Sequence, residues 1–248
     1  MTAARAGGDL VFIGDVHLDR DDACLGPFLE FLERLGETSR RIVFMGDLFN
    51  LWIGRPELEQ PHQTAVVSKL AGLRRRGVAV RYLEGNRDYR IGPCYAGRGV
   101  DDATDQGIVE QYAGRRIIAI HGDLANPDDR QYRRWRRISR ARVAWAIFNL
   151  LPRTRRLRLA EWLERRLRAS NVEFKGAFPE AAVRAYAATM LGPDDDALVL
   201  GHFHVERELA PRSDGPRGAV FVLPEWKSSR RHLRVRSTGE IEFTDSAN

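Results

Sequence analysis

The 248-residue chain has only two cysteines, Cys24 and Cys94, far apart and without a C-x-x-C partner. A disulfide scaffold and a zinc ribbon are therefore unsupported, and both thiols are expected to be free and buried. No apolar run approaches the roughly 18 residues that a membrane span requires, which excludes a transmembrane helix. Behind Arg5, the short segment Leu10–Ile13 gives way at once to glycine and acid, so no signal-peptide core is present and the expected compartment is the cytoplasm. Lysine is scarce: it stands only at positions 69, 175 and 227 among 40 basic residues, so arginine supplies nearly all the positive charge. Against 34 acidic residues the formal net charge is +6, which favours anionic partners without naming one. Repeats and low-complexity tracts are also missing, and 43% hydrophobic with 30% charged residues describes a globular chain with a real core.

Five short aliphatic runs, Leu10–Ile13, Arg41–Met45, Val78–Leu83, Arg116–Ile120 and Ala197–Leu200, read as buried strands. Helical patterns separate several of them, at Gly26–Leu35 and Thr64–Arg76, and this alternation predicts an α/β fold. Two more apolar segments, Ala219–Leu223 and His232–Val235, follow the Pro/Gly-rich stretch Pro211–Gly218, which reads as a hairpin or strand connection. From about Tyr132 to Leu191 the alternation stops and the pattern is helical, with Pro152 ending one helix and Pro179 beginning another. Residues 1–130 and 192–248 are therefore expected to form the core, and 131–191 a helical cap inserted into it.

Each predicted strand closes on a polar cluster. These are Gly14-Asp15-Val16-His17, Gly46-Asp47, Gly85-Asn86-Arg87-Asp88, His121-Gly122-Asp123 and Gly201-His202-Phe203-His204. Carboxyl ends of strands form the ligand crevice of α/β sheets, so five clusters distant in sequence can converge there. A single D-x-H or G-D arises by chance, and a lone histidine after a strand is commonly just hydrogen-bonded. Five such clusters holding four of the six histidines are a different matter. Aspartate, histidine and asparagine ligands suit Mn, Fe or Zn better than a calcium cage or a thiolate site. Seven ligands exceed one ion and suit two that share a carboxylate. Asp47 is the natural bridge, with Asp15, His17 and His204 on one ion and Asn86, His121 and His202 on the other; exchange of His202 and His204 is the open alternative.

The series resembles the calcineurin-like metallophosphoesterases along nearly the whole chain. Gly46-Asp-Leu-Phe-Asn-Leu-Trp-Ile-Gly54 and Gly85-Asn-Arg-Asp-Tyr89 resemble the UDP-2,3-diacylglucosamine diphosphatase branch, which serves lipid A synthesis. The resemblance implies a layered sandwich of two sheets flanked by helices, with the helical cap as a lid over two divalent ions, Mn2+ being the expected metal. It also implies water attack at the α-phosphorus of UDP-2,3-diacylglucosamine, giving 2,3-diacylglucosamine 1-phosphate (lipid X) and UMP. Asn86, Arg87 and His121 would carry the catalysis. Arg87 stands where the wider superfamily has histidine; a permanent cation cannot serve as general acid, but its planar fork can clamp a phosphate oxygen. Asp129, Tyr132, Asn171 and Lys175 are the implied polar substrate contacts of the lid. The branch departs at Lys175-Gly-Ala-Phe-Pro-Glu180, which lacks the usual Asp-Val, and at Gly-His-Phe-His for Gly-His-Thr-His.

The cap is also richer in apolar residues than one core stripe needs. Trp135, Trp145, Phe148 and Leu151 are expected to line an acyl pocket, with Trp145 and Phe148 as substrate contacts. Arginines interleave with them from Arg130 to Arg168, which fits the anionic inner face of the cytoplasmic membrane and a peripheral association with it. The bland alternative is a small helical core with a solvated basic face. A phosphodiesterase or nuclease acting on a soluble substrate is the competing enzyme, since arginines and tryptophans also serve nucleic acid. Nucleic acid is the less expected ligand, and no obligate protein partner is evident. A membrane-binding module with a vestigial metal site is the third reading, opposed by the complete ligand set.

Overall fold

The computed structural model describes residues 7–173, 178–211 and 217–247, the backbone alone over 168–173. The first part of the chain runs β1 (Asp9–Ile13), α1 (Leu25–Thr38), β2 (Ser39–Phe44), β3 (Trp52–Ile53), α2 (Pro61–Arg75), β4 (Ala79–Leu83) and β5 (Asp88–Tyr89). It continues with α3 (Gly92–Tyr95), β6 (Asp102–Thr104), β7 (Ile108–Tyr112) and β8 (Arg115–Ile120). Four helices follow: α4 (Arg130–Ser139), α5 (Arg142–Leu150), α6 (Arg153–Glu173) and α7 (Glu180–Met190). The chain closes through β9 (Ala197–Leu200), β10 (Arg207–Leu209), β11 (Ala219–Val222), α8 (Trp226–Ser229), β12 (Arg231–Val235) and β13 (Ile241–Asp245).

Two sheets make the sandwich. The first has the order β13-β12-β1-β2-β4-β6 and the second β10-β11-β9-β8-β7. Strands β1, β2, β4 and β6 are parallel to one another, as are β11, β9 and β8. Side chains alternate across a strand, so a strand buried on both faces reads as one apolar run. Leu10 and Phe12 of β1 enter the core between the sheets, with Val43, Met45, Val199 and Phe221, while Val11 and Ile13 pack outward under α1 and α2. In β9, Ala197 and Val199 face the inter-sheet core, and Leu198 and Leu200 meet Val183 and Ala187 of α7.

The four helices between β8 and β9 thus divide by partner. α7 covers the outer face of the second sheet, whereas Trp145 and Phe148 of α5 join Leu157, Ala160 and Leu163 of α6 over Leu51, Ile53 and Leu58. Pro152 lies between α5 and α6, and Pro179 immediately precedes α7, where a missing N–H costs nothing. The Pro/Gly-rich stretch joins β10 and β11, which pair antiparallel; its residues 212–216 lie outside the described ones. Both cysteines are free, but each is half-buried, not buried as the sequence had led us to expect. Cys24 sits at the start of α1 and Cys94 in the one-turn α3, each at the margin of the core under α1 and α2.

Candidate metal centre

Five loops meet at one end of the sandwich, each leaving the carboxyl end of a parallel strand: β1, β2, β4, β8 and β9. Backbone N–H groups tie these loops to one another, through a carbonyl and through two carboxylates. Val16 and His17 N–H both donate to the Asp47 carbonyl at 3.1 and 2.9 Å, and His202 N–H donates to Asp15 Oδ2 at 2.7 Å. Arg87 N–H donates to Asp47 Oδ1 at 2.9 Å. Asp88, which sequence reasoning passed over, accepts on Oδ2 from Asp47 N–H, Gly85 N–H and the Tyr82 hydroxyl at 2.8–2.9 Å. It staples the loop of Asp47 to that of Asn86.

Asp15, His17, Asp47, His202 and His204 all have positive φ, between 39° and 70°. Only three other non-glycine residues share that conformation among the described residues. Each such position costs energy that the surrounding structure must offset, and strain concentrated in one cluster marks a site of function. Gly46, at φ 96°, has no room for a side chain: a Cβ there would meet the Gly85 backbone, and one at Gly85 would meet the Asp47 carboxylate.

The side chains fall into two groups. In the first, Nε2 of His17 and His204 are 3.0 Å apart, and Asp15 Oδ1 lies 3.9 and 3.5 Å from them. In the second, Asn86 Oδ1 stands 3.0 Å from His121 Nε2 and 3.1 Å from His202 Nδ1, with Asp47 Oδ2 3.9 Å from His121 Nε2. His121 Nδ1 donates to the Met45 carbonyl at 2.6 Å, leaving Nε2 with the free lone pair. Ligand atoms of Asp15, Asp47 and His121 also lie within 4.8 Å of one another, so the two groups adjoin.

Electrostatics shows what this arrangement lacks. Burial pushes the Asp47 carboxyl up, against the pull of His121 and Arg87. Burial would also raise Asp15, but His204 beside it holds it well below the usual carboxylate range. Burial lowers His17, and burial with His121 nearby brings His202 down to about 4, so both are neutral imidazoles near pH 7. Burial opposes the charged form of His121, yet Asp47, Asp15 and Asp123 outweigh it and raise its pKa. Asp15 Oδ1 is buried without a hydrogen-bond partner. Two buried carboxylates, an orphaned oxygen and converging neutral imidazoles fit divalent cations, which would supply the missing positive charge.

A cavity of about 680 Å³ opens over this centre. Asn86, Arg87, Asp129, Tyr132 and Trp135 line it, as do Trp162, Arg166 and Phe203, which sequence reasoning missed. Trp162 and Arg166 are one turn apart on α6 with the guanidinium 5.7 Å from the ring, a pairing readable only as an i,i+4 spacing. Arg87 is buried, its Nε 3.5 Å from Asp47 Oδ2. Asp129 caps α4 by accepting from Tyr132 N–H, and the Tyr132 hydroxyl donates to Asp123. Trp145 and Phe148, stacked at 5.5 Å, lie instead on a smaller apolar cavity of about 150 Å³. Its wall is shared with the large one through Trp135, Trp162 and Leu163. Leu151 is not on that wall; it follows α5 as its C-cap. Asn171 falls in the last turn of α6, where side chains are not described, and Lys175 lies outside the described residues.

No protein-family model matches the chain. Among curated proteins, it is 32% identical to the UDP-2,3-diacylglucosamine hydrolase of Aeromonas salmonicida over 87% of this chain and 85% of that one. It is 31% identical to the protein of the same name from Ralstonia nicotianae, over 91% and 86%. The chain belongs to the UDP-2,3-diacylglucosamine hydrolase family. A predicted phosphoesterase from Streptococcus pneumoniae aligns over 99% of this chain and 93% of its own at 14% identity and a TM-score of 0.46, too loose a likeness to argue from. Membership makes the chain a hydrolase.

Proposed function

We propose that this hydrolase cleaves the pyrophosphate of UDP-2,3-diacylglucosamine by water attack at the α-phosphorus, releasing UMP and 2,3-diacylglucosamine 1-phosphate. The observation that carries the reading is the adjacency of two cavities: a large one over the buried cluster, where charged and polar side chains at the floor face Trp135, Trp162 and Leu163, and a small apolar one on the other side of those same three residues. An amphiphile with an anionic head and acyl tails fits that pair, whereas a nucleic acid leaves the apolar arm unfilled. Asp15, His17 and His204 would hold one divalent ion, Asn86, His121 and His202 a second, with Asp47 between them. Mn2+ is the ion we expect from the mixed oxygen and nitrogen donors. When bound, such ions supply Lewis acidity toward a phosphoryl oxygen and charge compensation in its transition state.

The chain's own residues do the rest. Arg87, always charged, presents its guanidinium to the phosphate at the cavity floor. Arg166 faces the same cavity from α6 and Asp129 and Tyr132 from α4, where they orient the sugar and phosphate. Trp145 and Phe148 take acyl chain. Val143, Ile147 and Leu150 recur at helical spacing along one exposed face of α5, with Arg142 and Arg153 at its ends. That face suits an anionic membrane surface, where the lipid substrate resides. No helix among the described residues is long and apolar enough to cross a membrane.

Detergent-solubilised UDP-2,3-diacylglucosamine and a single-stranded oligonucleotide, offered separately to metal-free protein with and without Mn2+, test the proposal. We expect metal-dependent release of UMP and no oligonucleotide cleavage. Cleavage of the oligonucleotide alone would replace the proposal with a nuclease.

A further inference from the structure

Tyr132, Arg136 and Arg140 stand four residues apart, on one face of α4 and its C-cap. The Tyr132 hydroxyl and Arg136 Nε both donate to Asp123 Oδ2, the latter at 2.6 Å, two residues beyond His121. One turn on, Arg140 reaches a different loop. Its Nη2 donates to the Gly85 carbonyl at 2.5 Å and to the Asp88 carbonyl at 3.1 Å, and its Nη1 meets Glu84 at 3.1 Å and Asp105 at 3.3 Å. The clasp is reciprocal, because Arg90 Nη2 donates to the Arg140 carbonyl at 3.4 Å. The Arg140 side chain is only 14% exposed.

The two carbonyls that Arg140 holds flank Asn86 and Arg87. Gly85 has no side chain with which to anchor that loop, and Asn86 spends its amide oxygen between His121 and His202. A planar guanidinium spans two carbonyls and two carboxylates in fixed geometry, which an ammonium cannot do. We propose that Arg140 is a positioning residue of the metal centre: by clasping the carbonyls on either side of Asn86 and Arg87, it sets the subsite that Asn86 forms with His121 and His202. The subsite of Asp15, His17 and His204 lies on other loops, and the Arg140 bonds above reach none of its residues. This rests on reading those residues as metal ligands, but not on any choice of substrate.

The test needs no substrate. Mn2+ is titrated calorimetrically into the metal-free full-length protein, and amide hydrogen exchange of residues 85–88 is followed in the same metal-free state. In Arg140→Met one of two binding steps should weaken about 10- to 100-fold, as loss of an outer-shell partner does, with the other weakened clearly less and the 85–88 amides exchanging faster. Arg140→Lys keeps a cation beside Glu84 and Asp105 without the fork, so it should fold and still weaken that step, and it carries the test if the methionine variant does not fold. Arg81→Met, which breaks ion pairs with Asp102 of the first sheet and Glu110 of the second, should change neither step. The proposal is overturned if both steps stay as in the parent protein, if both weaken equally, or if Arg81→Met reproduces the effect. Failure of the parent to bind two ions would instead overturn the ligand reading beneath it.

Discussion

Phe148 offers a quantitative test of the lipid reading. Its ring and that of Trp145 are half-buried and stacked, and Arg55 lies 5.0 Å from the Trp145 ring, so one face of the pair is already covered by protein. The other face lines the small apolar cavity. Full burial of a phenylalanine side chain contributes about 1.5–3 kcal/mol, so the half left for a ligand is worth about 0.8–1.5 kcal/mol, or about 4- to 13-fold in affinity. Phe148→Ser should therefore raise KM for the diacylated substrate by about that factor with kcat little changed, because the contact is made equally in ground and transition states. Bis(p-nitrophenyl) phosphate, which has no acyl chain, should be hydrolysed as before. Steady-state kinetics on both substrates decides the matter. Equal losses would show that Phe148 serves only the packing of α5 and α6 over Leu51, Ile53 and Leu58.

Arg87→Ala should leave two ions bound per chain by elemental analysis while lowering kcat about 10²- to 10³-fold, the usual loss for one electrostatic partner of a transition state. Loss of metal together with activity would make it a support for Asp47. Asp47→Ala should reduce bound metal below two ions per chain and abolish turnover; two ions with normal activity would remove it from the centre. His232 carries the pH prediction. It is buried against Phe31 at 5.1 Å with neither ring nitrogen hydrogen-bonded, and burial lowers its pKa from 6.5 to about 3. Its folded pKa is depressed, so its contribution is complete above pH 6.5 and is lost as pH falls toward 3, amounting to about 3 kcal/mol by pH 4. Urea unfolding of metal-free protein at pH 7 and pH 4 should show that difference shrinking by about this amount in His232→Phe, and an unchanged difference would refute it.

The buried parallel strands were legible because both their faces are apolar, and the polar clusters were legible because they interrupt such runs. Strand β7 was not: Glu110 points inward, buried, to meet Arg41 and Arg81, and a buried carboxylate hides a strand's alternation. The residues that hold the candidate ligands were equally hidden. Arg136 and Arg140 look like the solvated face of a basic helix until the loops they grip are placed beside them, and Asp88 differs from a surface aspartate only in what the fold brings to it. Trp162 and Arg166 lie beside the apolar stripe of Leu157, Ala160, Leu163 and Leu167 on α6, so nothing in their spacing separated cavity wall from surface.

Attack by water at the α-phosphorus of the nucleotide leaves an isotopic mark. Turnover of UDP-2,3-diacylglucosamine with Mn2+ in H2 18O, followed by mass spectrometry of both products, tests it directly. One 18O atom is expected in UMP and none in the lipid phosphate. Label in 2,3-diacylglucosamine 1-phosphate, or no hydrolysis at all with both ions bound, would contradict it.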